Sequence, residues 1–126
     1  MNDQRTPLAR VLGLGSARDG TGHWCAQRVS AIALLVLGIW FLAGLAQLPG
    51  YGYAEVQGWL GRPTSAVLML LLVASAAWHS DLGIQVVIED YVHQPLLKAA
   101  SIIVVRFLHV LLAAASIFAV LRMAFR

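Results

Sequence analysis

Residues 29–46 read VSAIALLVLGIWFLAGLA, an unbroken run without a charged residue. As a helix rising ~1.5 Å per residue it covers about 27 Å, nearly the full hydrocarbon core of a bilayer. The rest of the chain agrees with a lipid solvent. Of 126 residues, 60% are hydrophobic and 12% charged, the latter about half the usual share. The mean hydropathy is +0.76. A chain of this length suits one domain, and a water-soluble one would need far more polar surface.

Two further runs resemble the first. After the breakers and interfacial tyrosines of LPGYGY (48–53), the second begins at Thr64, behind Arg62-Pro63, and continues past His79 to about Ile88. The third starts near Lys98 and reaches about Arg122. The predicted fold is an all-α membrane protein with three transmembrane helices. The spans are expected at about 26–48, 64–89 and 98–123, within a transmembrane domain of residues 23–126. Residues 1–22 form an N-terminal segment with Gly, Ser and charge but no hydrophobic period. An irregular segment, or one ordered only by a partner, is expected there up to about residue 20. The long, arginine-bearing lead before residue 29 does not fit a cleaved signal, so the first run is read as a retained span. Nor does it fit a mitochondrial presequence, having no amphipathic pattern.

The formal net charge is +3 and the pI about 9.6. The basic residues sit near the ends of apolar runs and form no Lys/Arg tract, so they serve orientation and lipid headgroups, not nucleic acid. Arg5, Arg10, Arg18 and Arg28 precede the first span, whereas the loop after it has only Glu55 and Arg62. The positive-inside bias therefore predicts a cytoplasmic N-terminus, a cytoplasmic loop near 89–98 and a periplasmic C-terminus. Arg122 and Arg126 pull the other way. The single Cys25 excludes an internal disulfide and a multi-cysteine metal or iron–sulfur site.

The polar residues concentrate in HSDLGIQVVIEDYVH, residues 79–93. On one continuous helix, 100° per residue returns Asp90 to within about 20° of His79, about 16 Å along the axis. Gly83 lies on the same face, with Ser75 and Ala76 one turn the other way. Such small residues serve close helix packing, or leave a strip on which a flat ligand can lie. His79 sits about 13 Å inside the cytoplasmic end of its span. An ionisable group at that depth is costly and points to function. It can hydrogen-bond a neighbouring helix or ligate haem iron axially. Arg106 and His109 lie at matching depth in the third span. Asp81 is 200° from His79, so an Asp81–Arg106 ion pair would turn His79 away from the third span, toward another protein. The competing arrangement places a haem between His79 and His109 of this one chain.

These residues carry a resemblance. His79, Gly83, Gln85, Asp90 and Tyr91 form H-x-x-x-G-x-Q-x-x-x-x-D-Y, and HWCAQRVSAIAL begins at His23. Both resemble segments of the hydrophobic membrane anchor family of succinate dehydrogenase (respiratory complex II). The resemblance covers the chain from about residue 22. It implies half of a heterodimeric anchor bundle in a bacterial inner membrane, serving the tricarboxylic acid cycle and aerobic electron transport. It implies a haem b ligated by His79 and by a sibling anchor subunit, with Gly83 beside it. Arg28 would neutralise a haem propionate or shape the quinone pocket, and His23 would reach the propionates. Tyr91 would hydrogen-bond a ubiquinone carbonyl near the iron–sulfur subunit, with Asp90 orienting it or relaying protons. FAD and iron–sulfur clusters would belong to the flavoprotein and iron–sulfur subunits, so this chain is enzymatic only as a non-flavin subunit.

Plainer roles stand beside these. Tyr91 fits an interfacial anchor, Arg28 a snorkelling cation, and Asp90 with Glu89 a solvated helix end. His93 reads as surface, the tryptophans as belt or packing residues, and Arg106 as structural. Whole-protein alternatives are a fumarate reductase anchor, a haem-free structural anchor, and a transporter subunit with Asp81, Arg106 and His109 along a polar path.

Overall fold

The computed structural model describes residues 6–11 and 20–125. Arg5, Arg18 and Arg126, used above for orientation, lie outside them. The described residues form five helices: α1 Pro7–Val11, α2 Gly20–Ala46, α3 Tyr53–Leu60, α4 Pro63–Tyr91 and α5 Pro95–Ala124. Three of these, α2, α4 and α5, are long and apolar enough to cross a membrane.

Proline sets two of the boundaries. Arg62 and Gln94 are extended, with φ/ψ of −74°/126° and −76°/120°, as the clash with a following proline ring demands. Pro63 and Pro95 then open α4 and α5, where the missing N–H would have had no helical partner. The helices start ahead of the predicted spans, α2 at Gly20 and α4 and α5 at their prolines, while α2 stops at Ala46, short of the expected residue 48. Hydropathy marks the lipid-facing length, while the backbone ladder continues until a breaker stops it. In the N-terminal stretch expected to be irregular, α1 is helical, and residues 12–19 lie outside the described residues.

The interspan loop holds an element that hydropathy and periodicity do not predict. In α3, Trp59 and Leu60 are buried, following Val56 at helical spacing. The Trp59 indole stacks on Trp40 with centroids 5.5 Å apart and tilts on Phe41 at 6.0 Å. Gly44 makes this possible, since a Cβ there would overlap the Trp59 ring. Trp40 and Trp59 are therefore packing residues that fasten α3 to α2.

The central helix is α4. It packs against α2 on one side and α5 on the other, and α2 and α5 do not pack on each other among the described residues. The result is an open layer with little interior. Leu35 is 64% exposed and Phe107 72%. Apolar surface on this scale requires lipid or partner subunits to cover it.

Candidate functional site

The polar residues of α4 divide between its two seams. On the α2 side, His79 Nδ1 lies 2.9 Å from Ser30 Oγ, and Ser30 Oγ lies 3.1 Å from the Gln27 carbonyl oxygen. Ser30 is 2% exposed. His79 Nε2 has no hydrogen-bond partner among the described residues. One turn along α4, a Cβ on Gly83 would touch only Gln27 Nε2, at 3.6 Å. The pairs Ser30/His79 and Gln27/Gly83 define an antiparallel register. It sets the first turns of α2 level with the last turns of α4.

Among the described residues, two atoms in this region lack partners. Gln27 Oε1 and His23 Nε2 are both buried and without a hydrogen bond. His23, Gln27 and Ser30 sit at helical spacing on one face of α2. Buried unpaired polar atoms cost about 1–3 kcal/mol each, which makes this face a candidate for a ligand or partner group. Sequence reasoning singles out His23 but passes over Gln27 and Ser30. A signal is present in HWCAQRVS, where polar residues follow His23 at +4 and +7.

The remaining predicted site residues lie outside this seam. Arg28 is exposed, with its guanidinium 5.5 Å from the centre of the Trp24 ring. Asp90 and Tyr91 end α4, both exposed, Tyr91 at 78%. Since α4 is unbroken from Pro63 to Tyr91, Asp90 does share the His79 face. His93 is exposed, as expected of a loop residue.

The α5 side of α4 is charged. Arg106 Nε lies 3.4 Å from Asp81 Oδ2, the side chains 55% and 17% exposed. The same guanidinium donates to Gln85 Oε1 at 2.9 Å, Gln85 donates to Glu89 at 2.7 Å, and Lys98 caps the Glu89 carbonyl at 2.8 Å. The expected Asp81–Arg106 pair is formed. His109 donates from Nδ1 to the Val105 carbonyl at 2.8 Å and lines a cavity of about 260 Å³ with Trp78, Asp81 and Arg106. His79 and His109 thus occupy different seams of α4, and this chain does not bring them together around one ligand. Among the described residues no three His, Cys, Asp or Glu side chains converge on a metal position. A metal on His79 would take its other ligands from a cofactor or another chain.

A cavity of about 640 Å³ lies at the other end of the molecule, bordered by Trp40, Gly44, Glu55, Trp59 and Arg62. It shares no lining residue with the histidine seam.

Three lipid-length helices, with polar side chains turned into the two seams of the middle one, define a multi-pass helical membrane protein. The sequence matches the succinate dehydrogenase/fumarate reductase transmembrane subunit family over residues 2–113. The succinate dehydrogenase hydrophobic membrane anchor subunit of Paracoccus denitrificans is 37% identical over 118 residues, 94% of this chain and 91% of that one. Its counterpart in Rickettsia bellii is 33% identical over 118 residues, 94% of each chain. The succinate dehydrogenase membrane anchor subunit of Reclinomonas americana is 29% identical over 100 residues, 77% of this chain and 83% of that one. The chain belongs to the family of succinate dehydrogenase hydrophobic membrane anchor subunits.

Proposed function

We propose that this chain anchors a succinate:ubiquinone oxidoreductase in a bacterial cytoplasmic membrane. In this reading it supplies one axial ligand of a haem b shared with a sibling anchor subunit, and forms part of the ubiquinone-reduction site. The observation that carries the haem assignment is His79, an imidazole deep in a span, held through Nδ1 by α2 and, among the described residues, unpaired at Nε2.

The neighbouring residues fit the group. Gly83 leaves a position without a side chain on the His79 face, and His23 Nε2 is a buried atom in need of a partner. His79 would bind the iron, His23 would hydrogen-bond a propionate, and Arg28 is a cation at that end of α2. When bound, the haem accepts and returns single electrons at its iron. The protein fixes the ligand orientation and keeps the surroundings of low dielectric.

Quinone reduction consumes two electrons and two protons. The electrons come from the iron–sulfur subunit, after succinate oxidation on the flavoprotein. Tyr91 suits the acceptor end: its phenol donates one hydrogen bond to a quinone carbonyl and can pass a proton. Its exposure at the end of α4 is what a residue covered by a partner subunit would have. Asp90 beside it can relay protons from water. The arginines ahead of α2 favour a cytoplasmic N-terminus, which puts Tyr91 on the side where soluble subunits bind.

The relatives are succinate dehydrogenase subunits, which favours succinate oxidation over the fumarate-reducing direction. A polar transport path is disfavoured because Asp81 and Arg106 neutralise each other across α4 and α5. The test is a reduced-minus-oxidised optical spectrum of the purified complex. A low-spin b-type signal in the wild type, lost in His79→Ala, is expected. A wild type without it, or a variant that keeps it, overturns the haem assignment. Tyr91→Phe is expected to lower quinone reduction at least tenfold with that spectrum intact; undiminished turnover removes Tyr91 from the site.

A further inference from the structure

A hydroxyl group has one proton, and Ser30 Oγ has two polar neighbours. The Gln27 carbonyl, 3.1 Å away, can only accept, so both contacts are hydrogen bonds only when Oγ–H donates to it. Oγ therefore presents lone pairs to His79 Nδ1 at 2.9 Å. Two facing lone pairs at that distance would repel, so Nδ1 carries the hydrogen. In a neutral imidazole this leaves Nε2 bare, as a Lewis base. Ser30 is 2% exposed, so bulk water cannot supply a different arrangement.

We infer that Ser30 is a positioning residue: it locks His79 in the Nδ1–H tautomer, aims Nε2, and sets how strongly the ring donates electrons. The inference rests on the haem reading for its consequence; the tautomer rests on both Ser30 contacts being hydrogen bonds. The acceptor is uncharged. A carboxylate at this position would draw on the Nδ1 proton harder and make the ring a stronger donor. The acid of α4 nearest this level, Asp81, is turned to Arg106 on the far seam. The neutral acceptor thus keeps the ligand a moderate donor and favours the reduced iron relative to a carboxylate-backed histidine.

The experiment uses the assembled complex with Ser30→Ala, Ser30→Thr and Ser30→Asp. Redox titration of the b-type signal reads the potential, low-temperature EPR reads ligand orientation, and ¹⁵N NMR of labelled histidine in haem-free complex reads the tautomer. In Ser30→Ala the potential is expected to rise, the EPR signal to broaden or shift, and the Nδ1–H population to fall. The shift in the oxidised/reduced ratio is expected to be threefold to tenfold, tenfold being about 59 mV for one electron. Ser30→Thr, which keeps the hydroxyl, should restore all three values. Ser30→Asp should lower the potential.

Unchanged potential, EPR and tautomer in Ser30→Ala overturn the inference. If Ser30→Ala fails to assemble, Ser30→Cys keeps the volume with a weaker acceptor and carries the same expectations. A wild-type complex with no b-type signal defeats the haem reading instead, and the NMR arm still decides whether Ser30 sets the tautomer.

Discussion

The two seams of α4 are built from different chemistry. Against α5 the contacts are ionic and run in a line: Glu89, Gln85, Arg106 and Asp81 are joined by hydrogen bonds, and the charges close on one another. Against α2 the contacts are neutral and incomplete. Ser30 holds His79, but His79 Nε2, His23 Nε2 and Gln27 Oε1 are left without partners among the described residues. A bilayer supplies no water to satisfy polar groups. The completed seam therefore reads as a fastening, and the incomplete one as a seat. The difference separates a cluster that satisfies itself from one with open positions.

The sharpest way to break that contrast is to remove the histidine of each seam. His109 already bonds the carbonyl one turn before it, so His109→Ala is expected to leave the b-type optical signal at wild-type intensity, against its complete loss in His79→Ala. Loss in both variants would merge the seams into one site.

The next effect tests the fastening. Arg106→Leu leaves Asp81 unpaired in an apolar setting, and Asp81→Leu leaves Arg106 with only the neutral Gln85 as partner. Each single variant is expected to reduce the yield of assembled complex several-fold, and the double variant to recover part of it. Thermal unfolding in detergent would read a coupling of about 0.6–1.7 kcal/mol, the range for polar pairs between membrane helices. Additive losses would show that the pair contributes nothing jointly.

The smallest effects compare two glycines. A Cβ at Gly44 overlaps Trp59, whereas one at Gly83 meets only the flexible end of Gln27 at 3.6 Å. Gly44→Ala is expected to cost about 1–3 kcal/mol as the indole is displaced, read as a lower melting temperature. Gly83→Ala should not lower it, because alanine is the better helix former by up to ~1 kcal/mol. A stable Gly83→Ala complex with an altered b-type spectrum would show that the strip seats a ligand; an unaltered spectrum would assign Gly83 to helix packing.

Much of the α5 seam is legible from the residues. Asp81 and Arg106 lie at equal depth on antiparallel helices, and charges in lipid have few ways to be satisfied. The α2 seam is less legible. The 200° between Asp81 and His79 turns His79 away from α5, as the structure has it, but nothing local specifies how α2 is rotated about its axis. The +4 and +7 spacing of Gln27 and Ser30 from His23 shows that they share a face, but not which helix that face meets. Short α3 reads as loop because glycine and proline flank it, and its apolar spacing spans barely two turns.

What the sequence by itself determined was the medium, the three crossings and the family. Transfer of apolar side chains into lipid is a sum over residues, and breakers act on their immediate neighbours, so both can be read along the chain. Only the tertiary structure decided which ring nitrogen of His79 faces α2, which glycine lies against a neighbouring ring, and which seam is left open. Those depend on the rotation and close approach of helices distant in sequence, and a hydrogen bond exists only once both partners are in place.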